Sequence, residues 1–284
     1  MKHIDIDKEY KESLEVASSH YENFPVVSFL VPKKLRKHVA VIYKYARMAD
    51  DLADEGDLSP QERIKALDCL EADLKDALAG EYKNGFFRAL VGTIHEKKLT
   101  PSYFFDLLTA FRQDVRVKRY NTFEEVMDYC RFSANPVGRI ILELFEVRSE
   151  KLALLSDKIC SALQLANFYQ DASIDLKKGR IYIPLEEMKK FNVTENDFEL
   201  KKINTNFKEL IRLQVDRTRE LFLEGKPLTA FLPRPLNLEI KWTVLGGLEI
   251  LDKIKDNGYD VINKRPKLGK LEYFNLFIKS IFEP

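Results

Sequence analysis

The 284-residue chain predicts an all-α fold, a single helical domain. Three observations carry that expectation. Apolar residues recur at three- and four-residue intervals along most of the chain, which is the period of a helix with one buried face. The breaks carry helix-start chemistry. Strand alternation is almost absent.

In chain order, the helical period runs through 39–53, 64–78, 103–111, 123–132, 140–145, 152–176, 207–223, 240–254 and 271–282. Ser59-Pro60 and Thr100-Pro101 each place a capping residue before a proline at the first helical position, and Thr122 and Thr205 are further N-cap candidates. Asn135-Pro136 and Gly138 are expected to interrupt a helix. Gly179-Arg-Ile-Tyr-Ile-Pro184 alternates briefly like a strand, and Pro184 stops it as a loop or an isolated extended piece. No internal repeat and no flexible glycine-serine linker divides the chain, so one domain spanning 1–284 is the expectation.

Composition excludes several classes. With 46 basic against 45 acidic residues the net charge is +1, which gives no overall field for nucleic acid. Cys69, Cys130 and Cys160 lie far apart, without zinc or redox spacing, and read as reduced core residues. His3, His20, His38 and His95 form no metal pair, and neither a nucleophile elbow nor a dinucleotide fingerprint is present. His20 is the histidine of most interest, with a surface or capping role as its alternative. No signal segment opens the chain, and no stretch approaches the roughly 20 apolar residues of a membrane span. A soluble, cytoplasmic protein is expected.

The chemistry concentrates in two aspartate stripes. Asp50-Asp51-Leu-Ala-Asp54 aligns Asp50 with Asp54 on one helical face, and extending it backward adds Tyr43 and Arg47 to that face. Asn167-Phe-Tyr-Gln-Asp171-Ala-Ser-Ile-Asp175 aligns Asn167, Asp171 and Asp175 over three turns of what should be a buried helix. Stacked carboxylates repel, so each stripe calls for a cation. Magnesium takes one or two carboxylates together with water and substrate phosphate oxygens, and an arginine one turn away can hold the same phosphate. Two stripes therefore suggest several magnesium ions bridged by a diphosphate, with Lys177, Lys178 and Arg180 available to the leaving group. A solvated helix face is the competing reading of the first stripe, and a salt-bridge network with those three basic residues that of the second.

A third cluster is weaker: Asp114-Val-Arg116-Val-Lys118-Arg119-Tyr120, followed by Tyr129 through Gly138. An exposed basic face accounts for the first part, and core packing for Tyr129.

Taken together, these motifs resemble the squalene and phytoene synthase family of head-to-head prenyl enzymes, from about His20 to the end of the chain. Tyr43-Lys-Tyr-Ala-Arg47-Met-Ala-Asp50-Asp51-Leu-Ala-Asp54 resembles that family's first Asp-rich region. Asn167 through Asp175 resembles the second, Gly179 through Pro184 follows as the family's motif does, and Tyr129 through Gly138 resembles a family helix. The resemblance implies an isoprenoid-synthase fold, a helical bundle around a central cavity, and a prenyl diphosphate substrate. It implies magnesium held by Asp50, Asp54, Asp171 and Asp175, with Asp51 beside them and Asn167 assisting. It also implies a catalytic role for Tyr129, and diphosphate contacts from Tyr43, Arg47, Asn167, Gln170, Lys177 and Arg180.

Three departures point within the family to the hopanoid-pathway reaction that converts presqualene diphosphate to hydroxysqualene. Tyr21-Glu-Asn-Phe-Pro25 stands where condensing members show a serine-rich stretch, Gln170 stands for a common arginine, and Asn135-Pro136 replaces a glycine and a hydrophobic residue. In that reaction Arg47 would stabilise the leaving group, and Phe24, Phe132 and Phe168 are aromatic candidates to face a carbocation, with core packing as their alternative. Condensation of two prenyl diphosphates, and a non-enzymatic helical scaffold, are the competing functions. A C30 substrate partitions into bilayers, so peripheral contact with the inner membrane face is an expectation, as is a pathway partner that delivers presqualene diphosphate. The apolar stretch Tyr273–Phe282 either docks on lipid or closes the core.

Overall fold

Helix follows helix in the computed structural model, which describes residues 6–19 and 30–282; among these no strand occurs. The chain divides into two compact units, Met1–Arg116 with Arg139–Arg148, and Val117–Gly138 with Ser149–Pro284.

The first unit holds α1 (Ile6–Ser19), α2 (Lys33–Asp54), α3 (Pro60–Leu78), α4 (Gly85–Lys97) and α5 (Ser102–Arg116). Helix α2 packs against α1, α3, α4 and α5. Its Val41, Tyr45, Ala49 and Ala53 enter a core with Leu67, Leu74, Phe87, Leu90, Phe104 and Leu108. Tyr45 meets the Phe104 ring edge-on at 5.6 Å and donates to the Phe104 carbonyl. Ser59 caps α3 as expected, in a full capping box with Glu62. Thr100 does otherwise: its hydroxyl and backbone N–H both donate to the Glu143 carboxylate, and α5 starts at Ser102.

In the second unit, α6 (Phe123–Ser133) ends one residue before α7 (Asn135–Leu144), so the Asn135-Pro136 break is real. Helix α7 crosses the boundary between the units in sequence. Then come α8 (Glu150–Gln170), α9 (Ala172–Asp175), α10 (Leu185–Lys190), α11 (Glu195–Glu199), α12 (Thr205–Gly225), α13 (Leu236–Asp256) and α14 (Lys270–Phe282). Helix α8 packs on α6, α12 and α13. Thr122 caps α6, accepting from the Glu125 N–H, whereas Asn204 rather than Thr205 caps α12. An asparagine carboxamide presents its acceptor to the Phe207 N–H at 2.9 Å and leaves Thr205 as the first helical residue.

Further expectations are corrected. The helix predicted over 152–176 breaks at Asp171, whose backbone (φ −102°, ψ 11°) leaves the helical region. Cys69 is exposed, not core; Cys130 is buried, and burial pushes its thiol up to about 12. The loop or isolated extended piece expected at 179–184 is found: no strand forms there, and the Ile181 N–H donates to the Lys118 carbonyl and the Leu185 N–H to the Tyr120 carbonyl, an extended strap laid along 117–121. Among the described residues no helix is long and apolar enough to cross a membrane.

Candidate active site

The first stripe lies on the face of α2 turned away from the core, because Tyr45, Ala49 and Ala53 occupy the opposite side. Tyr43, Arg47, Asp50 and Asp54 are half-buried and Asp51 is exposed. Arg47 reaches Asp50 at 3.2 Å and Asp51 at 2.7 Å. Burial lowers the Arg47 pKa, but the two aspartates outweigh it and raise the pKa above its ordinary value, so the guanidinium stays charged.

Asp51 and Asp54 fall in the last turn of α2, which carries no basic residue of its own, and Asp50 immediately precedes it. Carboxylates are disfavoured there by the negative end of the helix dipole, by roughly 0.3–1 kcal/mol each. Arg63 of α3 offsets part of this. Its guanidinium donates to the Leu52, Glu55, Gly56 and Leu58 carbonyls, tying down the end of the helix that presents the stripe. Sequence periodicity gives no hint of that role, since Arg63 reads only as an ordinary polar helix position.

The second stripe has the same placement. Helix α8 is buried through Phe168, Tyr169 and Gln170, and Asp171 is its C-cap. The stripe itself is half-buried rather than enclosed, and Ile174 beside it is exposed, which corrects the expected buried helix. Alignment survives the break: the Asp171 N–H donates to the Asn167 carbonyl at 2.8 Å and the Asp175 N–H to the Asp171 carbonyl at 2.9 Å, so the one-turn spacing continues. Opposite the stripe, the Tyr169 hydroxyl donates to Gln214, which donates to Glu187, whose carboxylate is gripped by Arg217. This network fixes the rotation of α8.

Asp171 pairs with Arg265, which donates from Nε to Oδ1 at 2.5 Å. Gln170, expected to bind diphosphate, is buried and donates to the Pro266 carbonyl at 2.9 Å. The 265–266 segment thus docks on the second stripe; the only sequence signal was the short basic run Lys264-Arg-Pro-Lys267. Lys177 and Lys178 are exposed, and Arg180 is buried. Phe168, Ala172, Asp175, Arg180 and Tyr182 line one narrow crevice.

Phe168 stacks on Tyr182 at 3.7 Å with the planes 5° apart, and Tyr129 and Tyr120 complete a buried cluster around that pair. Tyr182 therefore covers one face of Phe168. Phe132 is half-buried under the Arg131 guanidinium. Arg119, from the third cluster, binds Glu195 through two nitrogens and donates to the Gly179 carbonyl, a role in holding the strap. His20, the 21–25 stretch and Phe24 lie outside the described residues.

Among the described residues no three His, Cys, Asp or Glu side chains converge as a ready-made metal cage. The donor set still fits magnesium. Each stripe offers two aligned, solvent-reachable carboxylates at a helix end where a cation relieves both mutual repulsion and the dipole, leaving other positions to water and phosphate.

Three comparisons bear on this arrangement. The chain is 33% identical over 256 residues, 88% of its length and 85% of the relative's, to a hydroxysqualene synthase of Sinorhizobium fredii. It is 29% identical over 276 residues, 92% and 88% of the two chains, to a 15-cis-phytoene synthase of Synechococcus elongatus. The crystal structure of squalene synthase HpnC from Alicyclobacillus acidocaldarius superposes with a TM-score of 0.85 at 40% identity, covering 90% of this chain and 96% of that one. The helices thus have the squalene-synthase type of isoprenoid-synthase fold. The family model for squalene/phytoene synthase matches residues 17–272, a span that contains both aspartate stripes, and the chain belongs to that family of prenyl diphosphate-processing enzymes.

Proposed function

We propose that the protein converts presqualene diphosphate and water to hydroxysqualene and diphosphate. The observation that carries this reading is Gln170. A neutral side chain spent on the Pro266 carbonyl stands immediately before Asp171, so that position offers no cation to a second diphosphate. Similarity to a hydroxysqualene synthase supports the same choice.

Asp50 and Asp54, with Asp51 at their edge, and Asp171 and Asp175, with Asn167, would hold magnesium. When bound, the metal supplies Lewis-acid stabilisation of charge on the diphosphate oxygens. Arg47 adds a guanidinium that keeps its proton, and Lys177 and Arg180 receive the departing anion. Tyr43 shares the Arg47 face and orients the same group. As the carbon–oxygen bond breaks, its electron pair leaves with diphosphate and a cyclopropylcarbinyl cation remains. Tyr129 and Phe168, the latter lining the crevice with Asp175 and Arg180, would supply ring faces that stabilise this cation without attacking it. Water then adds to the rearranged cation and loses a proton, which gives the alcohol.

The test is product analysis. Purified protein with magnesium should turn presqualene diphosphate into a C30 alcohol and leave farnesyl diphosphate untouched. Rapid consumption of farnesyl diphosphate would instead establish the second reading, head-to-head condensation, which similarity to a phytoene synthase favours.

A further inference from the structure

An amphipathic helix buries its apolar face, yet α14 carries a second apolar stripe outside the face it packs on the core. Its inner face packs on α13: the Trp242 ring lies 4.3 Å from Tyr273 and 5.1 Å from Phe277, the indole N–H donates to the Tyr273 carbonyl, and Leu276 and Ser280 are buried. Its outer face carries Leu271, Phe274, Ile278, Ile281 and Phe282, of which Leu271 is 73%, Phe274 57% and Phe282 81% exposed. At 3.6 residues per turn these five fall within an arc of about 100°.

The edges of that arc say what covers it. Lys270 borders one side, and Asn275 and Lys279 the other, all exposed. Lys264 and Lys267 lead into the helix, and from 264 to 282 the only carboxylate is Glu272. That carboxylate is already engaged, by Lys253 at 2.5 Å and by the Gly269 N–H. An apolar stripe edged by lysines, in a helix whose one carboxylate is committed, is complementary to acyl chains below an anionic headgroup layer, where lysine stems lie along the apolar surface and their ammonium groups reach phosphate. Thirteen residues span only about 20 Å, too short for a bilayer core of about 30 Å, so the helix lies in the interface. The family match ends at residue 272 and does not account for this face.

We propose that the outer face of α14 docks the protein on an anionic phospholipid surface through Leu271, Phe274, Ile278, Ile281 and Phe282, with Lys270 and Lys279 at the edges. A C30 substrate gives such a surface a purpose, but the docking stands on the helix alone and is measured without substrate.

Co-sedimentation of the full chain with phosphatidylglycerol–phosphatidylcholine vesicles should show binding that weakens with salt and is at least tenfold weaker on pure phosphatidylcholine. The combined substitution Leu271→Ser, Phe274→Ser, Ile278→Ser should lower the partition coefficient at least tenfold while emission of Trp242, the sole tryptophan, stays unchanged, which reports α14 still packed. Should that emission shift, Lys270→Glu with Lys279→Glu tests the same face without touching an apolar residue and should also reduce binding at least tenfold. Undiminished vesicle binding by a variant that keeps α14 packed overturns the proposal. So does equal binding to both lipids, or a dimer that the serine substitutions dissociate while vesicles bind nothing.

Discussion

The Arg265 guanidinium donates to the Asp171 carboxylate at 2.5 Å across 94 positions of sequence. A residue from the loop after α13 thereby supplies the positive charge that the end of α8 lacks. Both partners are about one-third exposed, so the pair itself contributes little to stability, at most about 1 kcal/mol. Its consequence is electrostatic: Asp171 sits at a helix C-terminus, and Arg265 offsets both its carboxylate and the negative end of the helix dipole.

Arg265→Ala and Asp171→Asn should therefore leave the thermal midpoint within a few degrees while lowering turnover of the prenyl diphosphate by roughly 10²-fold, the usual loss when one preorganised charge is removed from a leaving-group site. Steady-state rates and a melting curve on each variant decide the matter. Loss of activity matched by loss of fold would reduce Arg265 to a structural tie.

Arg63 makes a parallel claim for the first stripe. It donates to four carbonyls around the end of α2, so Arg63→Ala should fray the turn that carries Asp54. The expected cost is about 1–2 kcal/mol in urea unfolding, with a raised half-saturating magnesium concentration for turnover. Arg63→Lys, which cannot make the forked set of bonds, should recover little of either. Unchanged magnesium dependence in both variants would show that the end of α2 needs no such tie.

These two arginines mark the limit of what the sequence discloses. Helix α2 was legible because Tyr45, Ala49 and Ala53 repeat at helical spacing while the stripe occupies the other face. Helix α4 was not, because Gly85, Phe86, Phe87, Ala89, Leu90, Val91, Thr93 and Ile94 are all buried, and a helix enclosed on most sides leaves no apolar period to read. The break at Asp171 carries no glycine or proline, and Thr100 gives its hydroxyl to Glu143, 43 positions away. Local pattern finds the carboxylates and Arg47 beside them; Arg265, the partner of Asp171, arrives from a distant segment.

Acid should weaken the first unit through His38. The imidazole is fully buried, sharing a hydrogen bond at 2.9 Å between Nδ1 and the Thr93 hydroxyl, with the Tyr10 ring edge-on and Glu96 3.2 Å from Nε2. Burial lowers its pKa, Glu96 opposes this, and Lys97 and Lys37 add to the lowering. An unfolded chain takes up this proton near pH 6.5 while the folded one resists, so the contribution is complete above about pH 6.5 and is lost as pH falls toward the folded value. Glu96, held below its ordinary range first by Lys97, loses its contribution in a separate window below about pH 4.5. Urea midpoints should fall between pH 7.5 and 5.5, and His38→Gln should flatten that interval only. A slope that survives in the variant would assign it to other groups.

Gly138, expected to interrupt a helix, lies inside α7 instead, and its surroundings assign it to packing. A Cβ built there would lie 2.4 Å from Ser156 Oγ and 2.5 Å from Cys160 Sγ on α8, closer than van der Waals contact allows. With Ser156 and Cys160 placed as they are, a side chain at 138 forces α7, α8 or those two side chains to shift. The helix on the other side of that contact is the one that ends in Asp171, so displacing it also moves the second stripe. Gly138→Ala should destabilise by about 1–3 kcal/mol, the range for overpacking a filled contact. Combining it with Cys160→Ala and Ser156→Gly removes both obstructing atoms and should restore most of the urea midpoint, along with the magnesium dependence of turnover. Recovery of the midpoint without recovery of turnover would give Gly138 a role at the substrate that packing does not explain.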